Sequence, residues 1–268
     1  MIVHPNAKIN LGLNIVRKRD DGFHDIETVF YPIPLNDVME ITRDKKTSFI
    51  ASGIDIPSNG GDNLVMKAYS LLKQDFELEE LKVHLLKVIP IGAGLGGGSA
   101  DAAFMLKALR DYCRLPLSND QLKTYAAKLG SDCSFFIDNQ ASYAWGRGEL
   151  MKPLDLWLKG YHLLLVYPNL HISTAQAYSR VTPKAPPINV QDVVTLPLEE
   201  WKDKLTNDFE ISAFEIYPEL KKLKDDLYAM GATYTCMSGS GSSFFGIFKE
   251  QKELNNEMKK YSHWWVEL

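Results

Sequence analysis

A glycine-rich segment, Pro90-Ile-Gly-Ala-Gly-Leu-Gly-Gly-Gly-Ser-Ala-Asp101, is the part of this sequence best suited to bind a phosphate group. Five of the seven residues from 92 to 98 are glycine, so backbone N–H groups can approach a ligand without intervening side chains. A helix that begins beside such a loop adds unpaired N–H groups and the positive end of its dipole. The segment therefore predicts a phosphate-binding loop, and a glycine-rich turn without a ligand is the simpler alternative.

Two other places carry polar side chains that could do chemistry. Residues 7–15 alternate like a strand, with Lys8 and Asn10 on the face opposite the apolar residues. Lysine is uncommon inside sheets, and on this strand alone an exposed sheet face is the simpler explanation. Asp132 follows a predicted helix that opens with the capping box Ser118-x-x-Gln and stops at Gly130. Taken alone, such an acid is more often a turn residue or the next N-cap than a catalytic group.

The elements around the glycine-rich segment predict how it is held. Leu81, Val83 and Leu85 alternate with polar residues, as in a half-buried strand, and residues 102–110 have helical apolar spacing. Further strands are predicted at 7–15, 23–31, 38–42, 48–51, 141–145, 161–167, 232–236 and 244–248. Helices are predicted at 62–72 with Asp62 as N-cap, after Ser173 or Thr174, and at 198–205, 208–215 and 218–230. A surface linker is predicted at 181–197, and a helix and a closing strand in the tail at 249–268.

Three classes of phosphate loop can be compared with residues 90–101. A Walker A loop requires Gly-Lys-Ser/Thr, and Gly97-Gly98-Ser99 lacks the lysine, which excludes that class. The spacing of Gly92, Gly94 and Gly97 matches a dinucleotide fingerprint, but that fingerprint needs a second parallel strand that ends in an acid about 20 residues later. Asp111 falls in a predicted helix instead. The His-Arg-Asp and Asp-Phe-Gly motifs of protein kinases do not occur in the sequence.

Composition limits the class of protein. A length of 268 residues is typical of one large or two medium domains, with ordinary globular composition. The formal net charge of −4, with no dense basic run, argues against nucleic acid as a partner. Three distant cysteines without a Cys-x-x-Cys pair indicate a reduced compartment, and we expect a cytoplasmic location. Neither a signal peptide nor an apolar run long enough to span a membrane is present in the sequence, so we expect no membrane association.

The glycine-rich segment and four further motifs resemble the GHMP small-molecule kinases. Two of the motifs precede the segment in the chain and two follow it. The motifs are Ala7-Lys-Ile-Asn-Leu-Gly-Leu13, Asp21-Gly-Phe-His24, Gly130-Ser-Asp-Cys-Ser-Phe-Phe136 and Met237-Ser-Gly-Ser-Gly-Ser-Ser243. They cover nearly the whole chain. The resemblance is to those members that phosphorylate, with ATP, the 2-hydroxyl of 4-diphosphocytidyl-2-C-methyl-D-erythritol in the non-mevalonate isoprenoid pathway.

The resemblance implies an α+β fold with two domains and an active site in the cleft between them. The N-terminal domain, residues 1–154, is expected to be a ribosomal-protein-S5-like β/α domain that carries the ATP loop. The C-terminal domain, residues 155–268, is expected to be ferredoxin-like. A monomer or a homodimer is consistent with this family.

The resemblance also implies the roles of individual residues. Asp132 is the expected acid-base residue, with Lys8 as its partner, and Mg²⁺ is expected to bridge the β- and γ-phosphates near Ser99, with no metal ligand assigned to the protein. The expected ATP-binding residues are Asn63, near adenine, and Pro90, Ile91, Gly92, Ala93, Gly94, Leu95, Gly96, Gly97, Gly98, Ser99 and Ala100. The expected residues around the cytidyl substrate are Asn10, Phe23, His24 and Tyr178.

The chain departs from the family pattern at two places. Phe23 replaces a tyrosine, which removes a hydroxyl and keeps a ring that can stack on cytosine. Cys133 and Ser134 replace Val-Pro, which frees the backbone after Asp132. Two alternatives stay open from the sequence: another GHMP kinase, of the homoserine or mevalonate type, and a non-catalytic sugar-nucleotide sensor with the same fold.

Overall fold

The structure is a computed structural model that describes residues 1–56 and 63–268. The mixture of sheets and helices confirms the predicted α+β class. The chain divides into two compact units. Unit 1 contains residues 1–7, 35–91 and 96–140, and unit 2 contains residues 8–34, 92–95 and 141–268. The domain boundary after residue 154 stays a prediction.

The elements of the described residues have the following bounds. The strands are β1 (Ile2–Val3), β2 (Asn6–Lys18), β3 (His24–Asn36), β4 (Val38–Arg43), β5 (Ser48–Gly53), β6 (Leu81–Lys87), β7 (Ser142–Trp145), β8 (Leu150–Pro153), β9 (His162–Tyr167), β10 (Tyr234–Met237), β11 (Phe244–Phe248) and β12 (Ser262–Glu267). The helices are α1 (Leu64–Lys73), α2 (Gly97–Tyr112), α3 (Asn119–Leu129), α4 (Phe135–Asp138), α5 (Thr174–Tyr178), α6 (Val190–Val193), α7 (Phe209–Ile216) and α8 (Pro218–Ala229). Short 3-10 helices cover Leu198–Glu200 and Met258–Lys260.

Unit 1 is built on a four-stranded sheet in the order β1-β4-β6-β5, in which only the β5–β6 pair is parallel. Leu81, Val83 and Leu85 of β6 are buried and alternate with more exposed residues, as the sequence predicts. The helices α1, α2 and α3 pack on one another. Asn63 caps α1 by accepting a hydrogen bond from the Val65 N–H, and Asp62, the predicted N-cap, lies outside the described residues.

Unit 2 contains two sheets. Their strand orders are β2-β3-β7-β8 and β10-β11-β9-β12, and residues 6–7 and 35–36 at the ends of β2 and β3 belong to unit 1. A core forms where β2, β9 and β11 meet α7 and α8, through buried side chains that include Leu13, Leu164, Phe244, Phe209 and Leu223. This packing fixes the middle of β2, the strand that carries the predicted residues Lys8 and Asn10.

Several predicted boundaries are wrong, for local reasons. Helix α2 begins at Gly97 rather than at residue 102. The N–H groups of a first helical turn have no acceptor within the helix, and glycine is tolerated at those positions. The predicted linker at 181–197 contains α6, which Asn189 caps through the Gln191 N–H. The predicted helix at 198–205 is reduced to a 3-10 turn at 198–200, and the predicted tail helix to a 3-10 turn at 258–260. In residues 1–56 and 63–268, no helix has the length and apolar character that crossing a membrane requires.

Candidate active site

The start of α2 has the features of an anion site. Gly96 is its N-cap, in a left-handed conformation with φ of +70°, and no side chain caps the helix. The first N–H groups of this 16-residue helix therefore have no side-chain acceptor, and the positive end of its dipole adds to their attraction for an anion. Of the predicted ATP-binding residues, Pro90, Ile91 and residues 96–100 lie in unit 1, and residues 92–95 lie in unit 2.

The loop residues in unit 2 are held by the second glycine-rich segment. Ser238 Oγ donates to the Gly94 carbonyl oxygen at 2.8 Å, and the Ser243 N–H donates to the Ala93 carbonyl oxygen at 3.3 Å. The Lys8 N–H donates to the Leu95 carbonyl oxygen at 3.0 Å. A Cβ atom at Gly94 would lie 1.9 Å from the Ser238 carbonyl oxygen, so only glycine permits this approach. The sequence motif at 237–243 indicated a loop but not that Ser238 supports residues 93–95.

We expect Gly94→Ala to lower the free energy of unfolding by more than about 2 kcal/mol, the scale of a steric clash combined with an unfavourable φ. Gly94 has φ of +79°, so a side chain is strained there whatever the neighbouring space. The matched control is Gly98→Ala, because a Cβ atom at Gly98 would meet only Leu64 Cδ1 at 3.8 Å. Urea denaturation of both variants measures the difference, and equal unfolding free energies would show that the Gly94 contact is unimportant.

Lys8 is buried in unit 2, with 3% of its surface exposed, so the exposed sheet face that the strand pattern suggested is wrong. Its Nζ donates to Asn10 Oδ1 and lies 4.8 Å from the centroid of the Phe30 ring. Asn10 Nδ2 in turn donates to Thr28 Oγ1 at 2.9 Å, and the Asn10 N–H donates to Ser238 Oγ at 3.2 Å. This network fixes the direction of the Lys8 side chain.

Asp132 lies in unit 1, in the turn of residues 131–134 that separates α3 from α4. Its side chain is half-buried, and Ser131 Oγ donates to Oδ1 at 3.3 Å. The N-cap of α4 is Ser134, so Asp132 is a turn residue and does not cap the next helix. Burial raises the pKa of the neighbouring Cys133 thiol to about 11, and a hydrogen bond with Ser99 acts in the opposite direction. The Cys133 thiol thereby connects this turn to the first turn of α2.

The predicted substrate residues Phe23, His24 and Tyr178 all lie in unit 2. The His24 and Tyr178 rings stack on one another with centroids 4.6 Å apart, which leaves no space for a base between them. Phe23 is 55% exposed, and the Arg147 guanidinium lies 5.0 Å from its ring centroid. Arg147 is not among the residues that the sequence predicts near the substrate.

The remaining predicted residues have structural partners of their own. Asn63, expected near adenine, uses its side chain to cap α1. Both ends of the Asn10 side-chain amide are occupied, by Lys8 and Thr28. In the described part of the chain, no group of three or more His, Cys, Asp or Glu side chains is arranged to hold a metal ion. The pairing of Lys8 with Asp132 and the roles of all these residues stay predictions.

Two family models match this chain. The model of the GHMP kinases N terminal domain matches residues 63–147, and that of the GHMP kinases C terminal matches residues 192–266. The first match includes the glycine-rich segment and Asp132, and the second includes the loop at 237–243.

Similar proteins cover almost the whole chain. A 4-diphosphocytidyl-2-C-methyl-D-erythritol kinase of Parabacteroides distasonis is 52% identical over 257 residues, covering 96% of this chain and 95% of the relative. The enzyme of that name from Bacteroides fragilis is 51% identical and covers 95% and 94%. A crystal structure of 4-(cytidine 5'-diphospho)-2C-methyl-D-erythritol kinase is 33% identical, with a TM-score of 0.81 and coverage of 92% and 90%. A mevalonate kinase of Methanococcus jannaschii shares the fold, with a TM-score of 0.73 at 14% identity over 100% of this chain and 98% of that one.

Proposed function

This chain belongs to the GHMP kinases and, within them, to the 4-diphosphocytidyl-2-C-methyl-D-erythritol kinases, and on that premise we propose how its residues carry out the reaction. It is an ATP-dependent kinase that phosphorylates the 2-hydroxyl of 4-diphosphocytidyl-2-C-methyl-D-erythritol in the non-mevalonate isoprenoid pathway. The observation that carries this function is the identity of 52% over 96% of the chain to a kinase of that name.

Residues 90–100 of the glycine-rich segment bind the β- and γ-phosphates of ATP through backbone N–H groups, which include those at the start of α2. Phosphoryl transfer requires the protein mainly to position the reactants and to stabilise charge. In kinase sites, Mg²⁺ is usually bound by substrate phosphates and water together with one or two protein groups. The Ser99 hydroxyl, in the first turn of α2, would meet that ion, which when bound neutralises charge on the phosphates.

Asp132 accepts the proton of the substrate 2-hydroxyl as that oxygen attacks the γ-phosphorus. Asp132 lies in a turn and is half-buried, so water screens the charge of its carboxylate less than at an exposed position. Lys8 offsets charge on the transferring phosphoryl group. The support for Lys8 is its burial, because burying an ammonium group costs free energy that an apolar side chain at the same place would not.

The cytidyl group is bound by Phe23, His24 and Tyr178, with Asn10 nearby, and adenine lies near Asn63. Because the His24 and Tyr178 rings already stack on one another, cytosine lies against the exposed face of Phe23 rather than between them. We also propose a cytoplasmic monomer or homodimer without a nucleic-acid partner, in keeping with the net charge of −4.

We expect Phe23→Ala to raise the KM for the cytidyl substrate about tenfold, the scale of one lost base-stacking contact. The KM for ATP and kcat should change little, since the ring does not touch the phosphates or the attacking hydroxyl. Steady-state kinetics with each substrate varied in turn measures the three constants. The control is Phe23→Tyr, which keeps the ring and should keep the KM within about threefold. An unchanged KM in Phe23→Ala would exclude stacking on this ring.

The function itself is tested with ATP, Mg²⁺ and a panel of acceptors. We expect ADP release with 4-diphosphocytidyl-2-C-methyl-D-erythritol and none with mevalonate or homoserine. ADP release with either of the latter would support another GHMP kinase activity. Binding of the cytidyl substrate without ADP release would support the sensor alternative.

A further inference from the structure

Unit 1 contains a buried cluster of three charged side chains that has no role in the reaction described above. Lys87 is the last residue of β6, Asp37 lies between β3 and β4, and Asp101 lies in the second turn of α2. Their side chains are 3%, 0% and 4% exposed, respectively. Lys87 Nζ donates to Asp37 Oδ2 and, at 2.7 Å, to Asp101 Oδ2.

The cluster contacts both ends of the glycine-rich segment. Asp37 Oδ1 accepts hydrogen bonds from the N–H groups of Val88 and Ile89, at 2.6 Å and 2.9 Å, directly before the segment begins. Asp101, held by Lys87, is the last residue of the segment. Lys87 Nζ also lies beneath the first residue of α2, because a Cβ atom at Gly97 would stand 2.9 Å from it. The three side chains therefore connect residues 88–89 to residues 97–101.

Stability alone explains this cluster poorly. A buried ammonium group with two carboxylates is often no more stable than apolar side chains of the same volume. Asp101 Oδ1 is buried without a hydrogen-bond partner, which adds a further cost. Burial raises the pKa of Asp101; Lys87 opposes this shift and Asp37 adds to it. We therefore attribute the cluster to the geometry that it imposes on the two ends of the segment.

We propose that Lys87 and Asp101 are positioning residues for the ATP phosphates, acting through the two ends of the glycine-rich segment. With Asp37 they set the distance between residues 88–89 and the first turn of α2, so that the N–H groups of that turn meet the phosphate oxygens together. All three side chains are buried, so they would act without contacting ATP. This inference rests on the proposed role of the segment as the ATP-phosphate loop.

The test compares a nucleotide with its phosphate-free counterpart in the full chain. In Asp101→Asn, Lys87 keeps Asp37 as a partner, so charge is balanced and only the tie to α2 is weakened. We expect the Kd for a non-hydrolysable ATP analogue to rise about tenfold, equivalent to the loss of one charge-assisted hydrogen bond. The Kd for adenosine should stay within twofold. Calorimetry measures both without the acceptor, so the result does not depend on which acceptor the enzyme phosphorylates.

The matched control is Asp111→Asn, a partly exposed carboxylate on the same helix, with a side chain 57% exposed, which should change neither affinity. If Asp101→Asn fails to fold, Asp101→Glu keeps the charge with one more methylene group and should show the same phosphate-specific loss. An unchanged affinity for the ATP analogue would overturn the proposal. An equal loss of affinity for adenosine would also overturn it, because it would show a general effect on folding rather than positioning of phosphates.

Discussion

Replacing Asp132 by asparagine should lower kcat by about 100-fold or more, the scale of losing a general base. Asparagine has nearly the same shape as aspartate, so the turn at 131–134 and the Ser131 hydrogen bond can persist. What it lacks is the negative charge that orients the acceptor hydroxyl and takes its proton. The KM for ATP should stay within about threefold, because the phosphates are bound by the glycine-rich segment and α2.

Single-turnover kinetics with ATP and the cytidyl substrate separates this effect from slow product release. The control is Asp120→Asn, since that aspartate lies in the first turn of α3, carries a side chain 91% exposed, and should leave kcat unchanged. A kcat of Asp132→Asn close to that of the unsubstituted enzyme would show that Asp132 is not the general base. The proton would then have to go to another group or to water.

Much of the fold follows from local patterns in the sequence. The alternation in β6, the capping box at Ser118 and the cap at Ser173, one of the two predicted candidates, are confirmed, because each depends on residues that are close in sequence. The start of α2 was wrong by five residues, since glycine is a poor guide to where a helix begins. The prediction missed the short helix at 190–193 and made the one at 198–200 too long, because helix propensity is a weak guide to segments of only three or four residues.

The site was less predictable, because its surroundings come from distant residues. The pattern of β2 indicated that Lys8 lies opposite the apolar face, but not that this face is also buried; Thr28 and Ser238 pack there from elsewhere in the chain. A signal for Lys87 was present in the sequence: Leu81, Val83 and Leu85 occupy the buried positions of β6, and residue 87 is next on that face. A lysine there requires a buried acid, although spacing alone could not identify Asp37, 50 residues away.

The second large effect is expected at Lys8. Lys8→Met keeps most of the buried volume and removes the ammonium group, so we expect kcat to fall by about 100-fold while ATP binding is retained. Loss of the hydrogen bond to Asn10 Oδ1 should lower the free energy of unfolding by only about 1–3 kcal/mol, so the chain stays folded at 25 °C.

Lys8→Arg separates charge from shape. It keeps the positive charge, but a guanidinium is too large for a position with 3% exposure, so it should restore little of the activity. The control is Lys18→Met at the exposed end of the same strand, which should leave kcat unchanged. Turnover and thermal unfolding are measured on the same preparations. If Lys8→Met turned over at the unmodified rate, the buried ammonium would serve only to order Asn10; if it lost activity in proportion to its folded fraction, the effect would be on stability. A fall in kcat in a fully folded chain, with no rescue by arginine, is the result that assigns Lys8 to the transferring phosphoryl group.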